Sequence, residues 1–179
     1  YEICLSDWSS DVCSSDLTIR DQGFKPSAIL LVGTGDTPET LDAVGAAYLE
    51  GVLVVGYPRN DITDAFGPGN KAYLAAYRAK YKAEPIAPQG MAAYSGTLIM
   101  FEAIKAAGSL DPEKVRAAAA KLDKPESSYP SGFGAKFDKN MQNVRAWFTA
   151  SQWQAGKMVT VFPQTAALPG VTVKPLARP

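Results

Sequence analysis

The sequence predicts an α/β protein: a parallel βαβ sheet with flanking helices, followed by a C-terminal antiparallel hairpin. Three observations predict it. Two continuous apolar runs of strand length, Ala28–Val32 and residues 52–57, are separated by a glycine-rich loop and a short helix signal; that order makes neighbouring strands parallel. Residues 92–122 carry two helix patterns joined by a short turn. Residues 143–153 alternate at period two, and Ala155 and Gly156 turn them back into 158–162, as an antiparallel hairpin does.

In chain order, residues 18–24 read as a helix tail ending near Gly23. The run AILLV at 28–32 is apolar throughout, like a parallel strand buried on both faces. Gly33, Thr34, Gly35 and Asp36 form a loop. Thr37 then caps a helix to about Val44, with Pro38 at its first position and Glu39 near its positive end. Gly51 opens the strand 52–57. After a loop with Gly67, Pro68 and Gly69, Asn70 reads as the cap of a helix over 71–82. Tyr73, Leu74, Tyr77 and Tyr81 would be its buried side, and Lys71, Arg78, Lys80 and Lys82 its wet one.

Pro85 and Pro88 break that helix. Tyr94, Leu98, Phe101, Ile104 and Ala107 then recur at three- and four-residue steps, which predicts one buried helical face with Glu102 and Lys105 turned away. Gly108 suits a left-handed stop. Asp111 caps the next helix, Pro112 fits its first position, and Val115, Ala118, Ala119 and Leu122 give its stripe. Two helices are too thin to bury such stripes alone and need a sheet. Residues 132–137 read as a short strand entering a turn at Asp138, Lys139 and Asn140. In 143–153 the alternation points Val144, Ala146, Phe148 and Ala150 one way. Arg145, Trp147, Thr149, Ser151 and Trp153 fall on the opposite, exposed side. Residues 163–179 hold four prolines and no period, and read as a poorly ordered tail. No internal repeat is visible.

The 179 residues suffice for one domain with its own core. Residues 7–17, DWSSDVCSSDL, resemble the translation of a common short-read sequencing adapter, so 1–17 are set aside as non-native. Both cysteines, Cys4 and Cys13, go with them, and so do four acids and no base. Residues 18–179 then carry 18 bases against 14 acids, a net charge of +4, which is not a nucleic-acid signature. No apolar run is long enough to span a membrane. The chain has no histidine, which removes Ser-His-Asp, Cys-His and His-metal chemistry from this segment. No Gly-x-Ser-x-Gly elbow occurs either. No enzyme activity, metal or cofactor is expected.

The loop at 33–38 starts like a dinucleotide loop, but Pro38 stands at the third glycine position and no Gly-Lys-Ser/Thr follows, so phosphate binding is not expected. Loops leaving the carboxyl ends of parallel strands line the ligand crevice of open α/β sheets. Asp36 there is a candidate acceptor for a ligand ammonium, a charge-assisted contact of about 1.5–3 kcal/mol. Its competing roles are helix capping and solvation. Tyr57, at the end of the second strand, offers that crevice a ring and a hydroxyl, or else packs in the core.

Five pieces carry a resemblance: GVLVVGYP, YLAAYRAKYKAEP, AAYSGTLIMFEAIKAAGSLDPEKVRAAAAKLD, GFGAKFDKNMQN and QWQAGKMVTVFP. In this order they resemble the carboxy-terminal half of the branched-chain amino-acid (Leu/Ile/Val-type) periplasmic binding proteins of ABC transporters. The resemblance runs from about Thr18 to Pro163. It implies a partial type I periplasmic-binding-protein-like fold, in which two α/β lobes joined by three crossings close on a small solute. Residues 18–88 would belong to the second lobe, 89–125 would return to the first, 126–163 would cross back, and 164–179 would be a flexible tail. Most of the first lobe, which supplies the groups for the ligand carboxylate, would be absent. An acidic residue on the second-lobe loop holds the ammonium in the family, and Asp36 is its nearest match; Thr34 and Gly35 are candidates if the register differs, and Tyr57 matches a wall residue. The implied partners are an amino acid or amide-like solute and the membrane permease of an ABC uptake system, in an extracytoplasmic setting, with no nucleic acid and no membrane insertion. A ligand-sensing domain of a regulator or receptor built on the same module is the competing reading.

Overall fold

A computed structural model describes residues 3–5, 18, 21–23, 25–33 and 35–177. The chain divides into two compact units, one of Tyr1–Gly56 with Phe148–Pro179 and one of Tyr57–Trp147.

The first unit is built on a five-stranded sheet. Its strands are β1 (Ile3–Leu5), β2 (Ala28–Val32), β3 (Leu53–Gly56), β6 (Thr149–Gln154) and β7 (Lys157–Phe162), in that spatial order. The first two pairings are parallel and the last two antiparallel. β1 lies inside the stretch that the sequence sets aside; the adapter-like run that follows it lies outside the described residues. Between β2 and β3 run α1 (Pro38–Val44) and a single turn, α2 (Ala46–Leu49). The expected cap is in place: Thr37 is extended, and its Oγ1 accepts the Thr40 amide at 3.3 Å, satisfying a donor the first helical turn leaves unpaired.

Ile29, Leu31, Val44, Leu49, Val52, Val54 and Trp153 form the core of this unit. Each fully buried aliphatic side chain contributes roughly 1.5–3 kcal/mol. β2 alternates rather than lying buried on both faces: Ile29 and Leu31 are buried, whereas Val32 is 39% exposed. In β6 the expected sides are exchanged. Thr149, Ser151 and Trp153 are buried, Trp153 at 4% exposure, and Phe148 is exposed. Two physical causes account for this. β6 is an interior strand between β3 and β7, so polarity does not report exposure along it. Its pairing with β7 also shifts register between Ala150 and Ser151, which breaks a strict period of two. The turn is as expected, with Ala155 and Gly156 at φ 51° and 72°, the left-handed pair that a two-residue hairpin needs.

Residues 163–177 form no helix or strand, in keeping with their lack of period. Backbone bonding nevertheless holds them to the unit. The Gln152 amide bonds both backbone groups of Lys174, Gln154 Nε2 donates to the Thr172 carbonyl, and the Ala177 amide donates to the Glu50 carbonyl.

The second unit holds α3 (Asn70–Tyr81), α4 (Gln89–Ala107), α5 (Pro112–Ala119) and a two-stranded ladder of β4 (Asp123–Lys124) and β5 (Ala135–Lys136). The two units divide at 56/57 and 147/148. Residues 57–88 and 126–147 go with the helical pair because their contacts run there. The Tyr73 and Tyr94 rings lie 5.1 Å apart, and the Ser131 amide donates to the buried Ser95 Oγ at 3.1 Å.

Asp111 caps α5 and Gly108 ends α4 in the left-handed region, as the sequence predicts. Asn70 does not cap α3. It is the first helical residue, buried, and its Nδ2 donates to the Asn60 carbonyl at 2.8 Å, while Gly69 takes the cap position. Tyr81 of the expected buried side is 56% exposed. α4 buries a different face from the expected one. Met91, Ser95, Ile99 and Ala103 are buried, whereas Tyr94 and Phe101 are 43% and 57% exposed. Ile99 packs with Tyr129 and Ala135. Tyr94, Leu98 and Phe101 instead line an open groove of about 1140 Å³ with Tyr73 and Tyr77 of α3.

Candidate functional site

The candidate loop leaves β2 at its carboxyl end. Gly33 sits at φ 89° and its amide donates to the Val55 carbonyl at 3.4 Å. Thr34 lies outside the described residues. Gly35 is buried against its own strand. A Cβ built there would stand 2.7 Å from Leu31 Cδ1 and 2.9 Å from Leu31 Cβ, so this position accepts only a residue without a side chain. The Gly35 carbonyl accepts the indole Nε1–H of Trp153 at 2.9 Å.

Asp36 follows, half-buried. Its competing role as cap is taken by Thr37. Glu39, in the first turn of α1, has its carboxyl held below the usual value by a backbone amide and by the Thr37 side chain, as expected where helix N-terminal donors face a carboxylate. Asp36 therefore stands between a buried glycine and a capping threonine, at the carboxyl edge of a parallel strand.

Tyr57 is 41% exposed and opens the second unit. The structure thus places Gly35 and Asp36 together in one loop of the first unit and Tyr57 in the other unit.

Trp153 is the residue that sequence reasoning missed. It stands 118 positions from Gly35, and an alternation argument turns it outward. The usable signal was chemical: a tryptophan beside a run of buried strand residues needs a partner for its N–H. Among the described residues no group of three or more acids or cysteines is placed to hold a metal ion. No helix among them is long and apolar enough to cross a membrane.

The sheet order and this loop define a class, the type I periplasmic-binding fold, here in part. The chain belongs to the family described as periplasmic binding protein, which matches residues 3–157. It is 36% identical over 150 residues to Leu/Ile/Val-binding protein homolog 8 of Brucella abortus, covering 83% of this chain and 37% of that protein. It is 35% identical over the same length to homolog 7 of Brucella suis, covering 38% of it. The chain thus spans less than two-fifths of these curated relatives. Among solved structures, a leucine-binding protein from Thermotoga maritima superposes with a TM-score of 0.70 at 22% identity, over 93% of this chain and 44% of that one. A branched-chain amino acid transporter substrate-binding protein from Streptococcus pneumoniae, in complex with isoleucine, superposes at 0.62 and 19% identity, over 88% and 44%. At these identities the two structures speak for the fold.

Proposed function

We propose that this chain is part of the extracytoplasmic solute-binding subunit of an ABC uptake system. In this reading the whole protein binds an amino acid or a similar small solute by closing two lobes about a hinge, then docks on a membrane permease. Its task is binding, not catalysis. Asp36 would accept the ligand ammonium, with Gly35 and Thr34 lining the same loop and Tyr57 contributing a wall. The observation that supports it most is the placement of Asp36. It stands on a loop at the carboxyl end of a parallel strand, where open α/β sheets take their ligands, in a chain of the periplasmic binding protein family.

Titration calorimetry on the full-length protein tests this, with L-leucine, L-isoleucine, L-valine, L-phenylalanine and short amides. Saturable one-to-one binding is expected, weakened at least about tenfold by Asp36→Asn, because each lost charge-assisted bond is worth about 1.5–3 kcal/mol. The 179-residue chain by itself should bind these solutes weakly or not at all. No binding by the full-length protein to any of them, or micromolar binding by the chain alone, would overturn the reading.

A further inference from the structure

We propose that Trp153 is a positioning residue for the ligand-binding loop: its indole N–H holds the Gly35 carbonyl and so fixes the backbone from which Asp36 projects. This rests on the reading of Asp36 as the ammonium acceptor.

The donor is itself firmly placed. Trp153 sits on an interior strand, and its backbone is tied on both sides to the two residues that lead into β3. Its amide donates to the Val52 carbonyl at 3.0 Å, and its carbonyl accepts the Gly51 amide at 2.9 Å. The ring is packed in the core cluster with Ile29, Leu31 and Val54, which leaves the indole little freedom to follow a moving loop. The acceptor is equally confined, since Gly35 presses on Leu31 with no room for a Cβ. On the far side of Asp36, Thr37 is held to α1: its Oγ1 accepts the Thr40 amide and its carbonyl the Leu41 amide, each at 3.3 Å. Asp36 is thus a single residue between two anchored neighbours. One anchor belongs to α1, next in sequence. The other comes from β6, 118 positions away. Removing the indole N–H orphans a buried carbonyl and releases the first anchor. A charged hydrogen bond to a small ligand is sensitive to displacements well under an ångström.

The test is a double-mutant cycle in the full-length protein, with L-leucine as probe and calorimetry as readout. The variants are Trp153→Phe, Asp36→Asn and the pair. A further variant replaces Trp153 by 3-benzothienylalanine, which keeps the bicyclic shape and exchanges the N–H for sulfur, so a folding defect from the smaller phenylalanine ring does not decide the outcome. Leucine affinity should fall about 5- to 30-fold for both Trp153 replacements while Asp36 is kept. Made on top of Asp36→Asn, the same replacements should change it less than about twofold, because a positioning residue acts only through the group it positions. Equal losses with and without the Asp36 carboxylate would show a merely structural role and overturn the proposal. So would full affinity with benzothienylalanine. If Asp36→Asn binds the solute like the wild type, or the wild type binds neither leucine nor any of the other solutes named above, the reading of Asp36 fails and the positioning proposal falls with it. A strong Asp36→Asn effect without coupling to Trp153 leaves that reading standing and sinks only the proposal.

Discussion

Gln152→Leu should loosen the C-terminal segment and destabilise the first unit. Gln152 is 1% exposed, and its amide makes three bonds to backbone groups. Nε2 donates to the Gly51 carbonyl at 2.9 Å and to the Lys174 carbonyl at 2.8 Å, and Oε1 accepts the Lys174 amide at 2.8 Å. Leucine has a similar volume and none of these bonds. Lys174 is exposed, so its two backbone groups can turn to water, and each loss there costs about 1 kcal/mol. Gly51 is buried under Pro175 and Leu176, so its carbonyl is stranded at about 1–3 kcal/mol. Extra apolar burial by leucine offsets roughly 1 kcal/mol. The net is about 2–4 kcal/mol, or a fall in Tm of roughly 5–15 °C for a chain of this size. Differential scanning calorimetry reads the first quantity. Amide hydrogen exchange over 172–177 reads the second, and should speed up more than exchange in β2 or β3. An unchanged Tm with unchanged exchange would refute the idea that this amide holds the segment.

Three further outcomes follow from the second unit. Ile99→Ala should cost about 2–5 kcal/mol in urea unfolding, whereas Phe101→Ser should stay within about 0.5 kcal/mol, because Ile99 is buried and Phe101 is 57% exposed; equal losses would return the buried face to the Tyr94–Phe101 stripe. Burial, and next the Glu102 carboxylate, push the Tyr129 phenol up to about 12 from an ordinary 10.0. A raised folded value contributes stability below pH 10 that is lost as pH rises through about 12, and Tyr129→Phe should remove that alkaline decline in pH-dependent unfolding while leaving the remainder. Gly132→Ala should cost about 2–5 kcal/mol, since φ is 81° and the new Cβ would meet Phe66 Cε1. Gly96→Ala on α4, where a Cβ meets nothing within 4 Å, should instead stabilise by up to about 1 kcal/mol; thermal unfolding of the pair separates the two signs.

The elements that were legible in the sequence are those decided by local chemistry. Thr37 with Pro38 and Asp111 with Pro112 open their helices, Gly108 closes α4, and Ala155 with Gly156 turns the hairpin. Each is settled by capping or by a φ requirement within four residues. The buried face of α4 was not legible for a physical reason. Apolar residues surround this helix almost completely, from Met91 and Tyr94 through Leu98, Ile99, Met100 and Phe101 to Ile104. Such a helix has no unique stripe, and the choice of face fell to the small residues Ser95 and Ala103. Ser95 meets a backbone amide 36 positions away, and no periodicity encodes that partner.

The candidate loop divides along the same line. A strand, two glycines, an acid and a capped helix are neighbours in sequence, so local pattern alone singles out Gly35 and Asp36. What fixes Gly35 in place comes from the other end of the chain, through a strand whose polar alternation argues for the wrong face. Thr149, Ser151 and Gln152 are all buried; a buried polar group is stabilised where it is bonded, a condition that the Thr149 hydroxyl does not meet. Gln152 meets that condition by holding the C-terminal segment and Trp153 by holding Gly35. Two adjacent residues of β6, on opposite faces of one sheet, therefore fasten the tail on one side and the candidate loop on the other. Replacing either side chain should release its own attachment and spare its neighbour's, since successive strand side chains point to opposite faces and these two share no hydrogen-bond partner.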